Sequence, residues 1–234
     1  MTLFKNATLV EFDPPRVREG EDVLVDGDSI VKVGKNLSAP QTAAAEILDA
    51  SGKLLFPGIV CSHNHYYSGL SRGILADIGP TPDFVSILKN LWWRLDRAVD
   101  AGNLYSAGLV CSLDAIRCGT TAVIDHHASP NYIEGSLKTL KRAFETAGLR
   151  GATCYEVSDR HGSDSMRAGV AENIDFAREI DREKSEGSWS ALVEAHIGGH
   201  APCTLPDEAL RLIADASEST GRGFHVHLAE DRWD

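Results

Sequence analysis

Residues 57–65 read PGIVCSHNH: a proline–glycine turn, a short apolar run, and two histidines two positions apart. On an extended chain alternate side chains project to the same face, so His63 and His65 present both imidazoles on one side of the strand. Two nitrogens placed that way can hold one divalent metal at about 2.0–2.1 Å each. Two polar residues capping a strand would look the same in isolation, so this stretch needs a companion elsewhere in the chain.

Residues 224–230, FHVHLAE, supply one: a second apolar strand with histidines at alternating positions, His225 and His227, and a glutamate just past its end. In a barrel the residues at the C-terminal ends of the strands converge on the mouth. His63, His65 and His227, the histidine nearer the strand end, are therefore the candidate metal ligands, with His225 read as a buried neighbour. Glu230 would lie beside a metal-activated water, where a carboxylate can move protons.

Between these two segments the pattern alternates. Strands are predicted at 54–62, 120–126, 149–157, 190–198 and 224–230, and helices near 82–117, 132–147, 167–185 and 206–220. Repeated β-then-α units imply a parallel sheet buried on both faces, either an open doubly wound sheet or part of a (β/α)8 barrel. The segment after the first strand is long and glycine-rich, YYSGLSRGILADIGPTPD, and leads into LWWRLDRAVD. A loop of that length directly after the strongest motif reads as functional. Trp92 and Trp93 read as helix packing. Residues 1–56 form short β-branched runs separated by turn formers such as Asp26-Gly27-Asp28.

Composition excludes several classes. With a net charge of −11, the 234-residue chain repels phosphate backbones and anionic lipid, which argues against nucleic-acid and membrane partners. The five cysteines are odd in number and contain no C-x-x-C pair, which argues against a disulfide framework or a zinc ribbon and for a reduced, cytoplasmic setting. The first fifteen residues, with Glu11, Pro14 and Pro15, form neither a signal peptide nor a membrane span.

Several segments together resemble the amidohydrolase superfamily. LLFPGIVCSHNHYYSGLSRGI is similar to its P-G-x-x-x-x-H-x-H segment followed by R-G-I, as in the cytosine-deaminase and chlorohydrolase branch. HAPCTLPDEAL and FHVHLAED resemble that branch's H-A-P-x-T and H-x-H-x-x-E segments, and GTTAVIDHH and LDASGKLLFPG also match. WWRLDRA and DHHASPN are shared with a group of aminohydrolases within it.

The resemblance implies a (β/α)8 TIM barrel, here only about its first five β/α units (57–234), joined to the N-terminal half of a small β-sandwich (1–56). It implies one divalent metal, zinc ahead of iron or manganese, held by His63, His65 and His227, with Glu230 shuttling protons. A histidine from the sixth barrel strand and an aspartate from the eighth would complete the set. Both would lie beyond Asp234, so the resemblance reads the chain as part of a protein of roughly 400–450 residues, given the usual size of a barrel.

Substrate contacts are expected at His200, His126, His127 and Glu156, with His161 a weaker candidate. Glu194 falls inside a strand, which disfavours a second, bridged metal. The implied reaction is hydrolytic deamination of a small aminated heterocycle such as a purine, pyrimidine or triazine. Chlorohydrolase or cyclic-amidase chemistry at the same site is the alternative, and a non-catalytic scaffold is the reading from another class. A homodimer of the whole protein is compatible with this reading.

Overall fold

The computed structural model describes residues 1–38, 45–74 and 77–230. Its contacts divide the chain into two units, Met1–Gly58 and Ile59–Asp234.

The first unit is a single sheet. Strands β1 (Thr2–Phe12), β2 (Pro15–Asp26), β3 (Ser29–Gly34), β4 (Glu46–Asp49) and β5 (Leu54–Leu55) are arranged in the order β3-β2-β1-β4, with β5 also pairing β1. β1 and β2 pair antiparallel, as do β2 and β3, whose connection bends at Gly27 with φ 57°. That left-handed conformation suits glycine, which has no Cβ to clash. Leu3, Ala7, Val23 and Leu24 are buried on this sheet, and Lys5 pairs with the buried carboxylate of Asp22 at 2.6 Å.

The second unit is built on a parallel sheet of β6 (Ile59–Asn64), β7 (Thr120–His127), β8 (Arg150–Tyr155) and β9 (Val193–Ala195), in sequential order. β10 (Ile197–Gly198) continues the line of β9 after a break at His196 and pairs in parallel with β11 (Phe224–His225). The connections are helical: short α1 (Phe84–Ile87) and α2 (Trp93–Leu95), then α3 (Ala101–Arg117), α4 (Ser136–Ala147), α5 (Ser163–Glu186) and α6 (Asp207–Thr220).

The helices form where apolar residues recur at helical spacing. In α4 the buried positions Leu137, Leu140, Ala143 and Phe144 make one stripe, and Gly148 at φ 74° ends the helix in a left-handed cap. That stripe packs with Leu104, Val123, Leu149, Phe176 and Ile180 in the main core. Each such side chain removed from water contributes about 1.5–3 kcal/mol. α3 and α4 approach closely at Gly108, where a Cβ would come within 2.7 Å of Ala143.

Besides the strand expected over 190–198, which breaks at His196, three elements depart from the sequence-based expectation. The strand expected over 54–62 is split: Leu54–Leu55 pairs with β1 in the first unit, Ile59–Asn64 begins the second sheet, and Pro57-Gly58 lies between. Proline cannot donate to a ladder, and glycine weakens one. The helix expected over 82–117 is broken near Val99, because the Asp100 side chain accepts the backbone N–H groups of Gly102 and Asn103 and starts a new helix with a full capping box. The last strand covers only Phe224–His225 of the expected 224–230. Among the described residues no helix is long and apolar enough to cross a membrane.

Gly198 is the position where the sheet has least room, since a Cβ there would lie 2.3 Å from the Tyr155 carbonyl oxygen and 2.9 Å from Cys154 Sγ. Backbone cannot yield as a flexible side chain can, so Gly198→Ala is expected to lower the thermal midpoint by about 5 °C or more, read by circular dichroism.

Candidate metal centre

His63 is the penultimate residue of β6 and His65 follows its end, so the pleat carries both imidazoles to one side. The turn that follows is pinned from beneath. The buried carboxylate of Asp125, on β7, accepts the Tyr66 backbone N–H at 2.7 Å and the Thr153 hydroxyl at 3.1 Å, and Asn64 Oδ1 accepts the His65 N–H at 2.7 Å. Burial pushes the Asp125 carboxyl up to about 6 against these two donors. From the far edge of the sheet, the His227 N–H donates to the His200 carbonyl at 2.9 Å, which extends the ladder two residues past β11.

The three imidazoles meet. His65 Nε2 and His227 Nε2 are 3.2 Å apart, and His227 Nε2 and His63 Nε2 are also 3.2 Å apart. The opposite nitrogens decide the tautomers. His65 Nδ1 donates to the His126 carbonyl at 2.7 Å, and His227 Nδ1 donates to the His200 carbonyl at 3.0 Å. A carbonyl only accepts, so each Nδ1 carries the proton and each Nε2 keeps a bare lone pair. His63 Nδ1 sits 2.9 Å from His225 Nε2; with its proton on Nδ1, His63 offers a third lone pair to the same point.

Lone pairs facing each other at 3.2 Å repel unless a cation lies between them. Ligands at about 2.0–2.1 Å from a tetrahedral ion are separated by about 3.3–3.4 Å, so the spacing suits a divalent metal. Burial, foremost, moves His65 down to about 4 and lowers His63 as well, keeping both in the neutral form that binds metal.

A cavity of about 200 Å³ opens over this cluster, and Glu230 lines it together with His63, His65, His227, His200 and Glu156. Glu156, on the loop after β8, is buried. Burial opposes its ionisation, yet the hydrogen bond from His126 and the charges of His200, His126 and Arg160 outweigh it and hold the carboxyl well below its usual range. Its oxygens lie 3.3 Å from His126 Nδ1, 3.3 Å from Arg160 and 3.8 Å from His200 Nε2. His200 also hydrogen-bonds Thr204 Oγ1 at 2.5 Å.

His126 and His127 part company. His126 is wholly buried beneath the cluster, its ring centroid 4.6 Å from that of His227 and its Nε2 3.1 Å from the Gly199 carbonyl. His127 turns aside to Ser129 Oγ at 2.7 Å between Tyr67 and Tyr155, and does not line the cavity. Both belong to β7, which runs one residue past the expected strand end. His161 is likewise absent from the cavity wall, and Glu194 is engaged by Lys184 and lies 3.9 Å from Arg222.

Four of the wall residues that the sequence reading missed carry an indole, a carboxylate or a guanidinium; Tyr67, Phe84 and Leu88 are the others. Trp92 and Trp93 were expected to pack a helix, but both line the cavity, as do Asp96 and Arg160, which pair at 2.6 Å. WWRLDRA carried the first three of these; Arg160 sits in no local pattern. A larger hollow of about 660 Å³ lies elsewhere on the unit, beside Cys61, Cys111, Cys118 and Asp114, and no histidine lines it among the described residues.

The chain belongs to the amidohydrolase family, which it matches over residues 54–234. A 5-methylthioadenosine/S-adenosylhomocysteine deaminase of Thermococcus sibiricus is 25% identical over 230 residues, covering 98% of this chain and 50% of its own length. An atrazine chlorohydrolase from Arthrobacter aurescens, solved in complex with zinc, superposes with a TM-score of 0.75 at 21% identity, over 98% of this chain and 53% of that one. An adenosine deaminase from Xanthomonas campestris with bound zinc gives 0.79 at 19% identity, over 99% and 50%. These likenesses establish the fold, that of an amidohydrolase barrel represented by part of its strands. The chain spans about half the length of the curated relatives it matches.

Two outcomes test this geometry. Zinc titrated into the metal-free protein should bind with His63, His65 and His227 intact, and His227→Ala should weaken it at least about tenfold, measured by competition with a chromogenic chelator. The raised carboxyl of Asp125 binds its proton more tightly folded than unfolded, so its contribution is present below about pH 4 and lost as pH rises through about 6. Asp125→Asn, whose amide can still accept from Tyr66 and donate to Thr153, should remove that loss. The stability of the wild type relative to the Asp125→Asn variant should fall by on the order of 2 kcal/mol between pH 4 and 7, measured by urea unfolding.

Proposed function

We propose that the protein is a metal-dependent hydrolytic deaminase of a small aminated heterocycle, working in the cytoplasm with zinc as its ion. The observation that carries this reading is the meeting of three imidazoles, with His227 Nε2 3.2 Å from the Nε2 atoms of both His65 and His63, on the wall of a cavity that also holds a glutamate. His63, His65 and His227 would hold the ion. When bound, a divalent cation supplies the Lewis acidity that makes hydroxide available near neutral pH.

The rest is the work of side chains. Glu230 can take a proton from the attacking water and pass it to the ring nitrogen beside the carbon under attack, and then to the departing amine, which leaves as ammonia. His200 and Glu156 form the polar floor, their positions held by Thr204, His126 and Arg160. The deaminase named among the relatives and the zinc in the two structural neighbours support this reading. Cys61, Cys111, Cys118 and Cys154 are free thiols, which suits a reducing compartment. The atrazine chlorohydrolase neighbour keeps a second reading in play, with chloride leaving from the same ring position.

Ammonia release, measured across aminopurines, aminopyrimidines and aminotriazines with chlorotriazines as the contrasting set, separates the two. In the zinc-loaded protein at its natural length, Glu230→Gln should retain its metal while turnover drops by about 10²–10⁴-fold. Turnover that survives the change removes Glu230 from the mechanism.

A further inference from the structure

His225 stands just outside the ligand set, yet one ligand depends on it. Its backbone is fixed by the sheet: it pairs with Gly198 in the parallel register of β10 and β11, and its carbonyl accepts the Gly199 N–H at 2.9 Å. Its ring reaches across to β6, where His225 Nε2 lies 2.9 Å from His63 Nδ1. The two imidazoles meet edge to face, at 72°, and the His126 ring centre lies 4.7 Å from that of His225.

The three ligands are not oriented alike. His65 and His227 each donate from Nδ1 to a main-chain carbonyl, which can only accept, so the bare lone pair at Nε2 is settled for both. The partner of His63 is another imidazole, which can give a proton to the shared bond or receive one. If His225 Nε2 donates, a neutral His63 holds its own proton on Nε2, where it points at His227 Nε2 and occupies the lone pair. If His225 Nε2 accepts, His63 keeps its proton on Nδ1 and becomes a ligand. A neutral imidazole carries one proton, so in this second arrangement the His225 proton sits on Nδ1. That atom is buried and has no hydrogen-bond partner among the described residues. The arrangement that binds metal therefore holds an unpaired buried donor, and the other holds an unpaired buried acceptor. Both are costly, so the far side of His225 does not settle the choice, and the bond to His63 does.

We infer that His225 is a positioning residue for the metal centre: its Nε2 accepts the His63 Nδ1–H, and through that bond it decides whether β6 supplies two ligands or one. This rests on the reading of His63, His65 and His227 as the ligands. His225 does not touch the ion in this role, so its whole effect on metal affinity runs through His63.

A double-mutant cycle isolates that dependence. Zinc affinity is read by chelator competition on the protein at its natural length, with the fold of each variant checked by circular dichroism. His225→Leu is expected to weaken zinc binding about ten- to a hundredfold. In a His63→Ala background the same change should cost less than about twofold, because the bond it removes is already gone. His225→Gln, whose amide oxygen can accept in place of Nε2, should recover most of the loss. In long-range proton–nitrogen NMR spectra of the zinc-loaded wild type, His225 should appear as the Nδ1–H tautomer. Unchanged affinity in His225→Leu, an equal cost in both backgrounds, or a zinc-loaded His225 protonated on Nε2 overturns the positioning role. Should the leucine variant fail to fold, the wild-type spectrum decides. Failure of the deaminase reading has a different signature: zinc bound as expected, and no ammonia from any aminated ring. A wild type that takes up no zinc overturns the metal centre, and the role of His225 with it.

Discussion

Three imidazole lone pairs aimed at one point are the constraint on which the rest of this structure depends. Such a cluster is unfavourable without a cation, and the second unit is organised to enforce it. β6 delivers two of the nitrogens and the stretch after β11 delivers the third, from opposite ends of a five-membered run of parallel strands. Only the curvature of that run brings residues 162 and 164 positions apart into contact. The Asp125 clamp beneath the turn and the His200 carbonyl at the far edge hold the two ends in place. The fold and the site are thus one problem: a flatter sheet would leave the histidines as unrelated strand ends.

Much of this arrangement could be read from the amino-acid sequence because it depends on local periodicity. Histidines two apart on an apolar strand share a face whatever surrounds them, and both such pairs, 63/65 and 225/227, lie in or beside the predicted strands. The alternation of strands and helices likewise reflects short-range pattern. What escaped the reading were features set by tertiary contact. Arg160 follows a strand with no motif of its own, and its place is fixed by Asp96 and Glu156. Trp92 and Trp93 carry helical spacing, which cannot say whether a helix turns its aromatic face to a core or to a cavity. His126 and His127 are adjacent, and their opposite fates follow from the alternation of β7, with one ring under the cluster and the other beside Ser129.

The polar groups around the cluster divide by task. Below it, Asp125 and Asn64 accept backbone N–H groups and Thr153 donates to the Asp125 carboxylate, and together they hold geometry. Glu156, Arg160 and Asp96 form a connected chain of charges reaching from His126 to the aromatic wall.

The two acceptors that set the tautomers of His65 and His227, the carbonyls of His126 and His200, belong to the main chain. No single-residue replacement deletes a carbonyl, so drift in the surrounding sequence leaves the grip of these two ligands on the metal largely untouched. The aromatic and charged wall facing it consists wholly of side chains, each one codon change from another chemistry. A lineage built this way can trade substrates repeatedly while inheriting the same hydrolytic core, because invariance and novelty are written in different parts of the polymer.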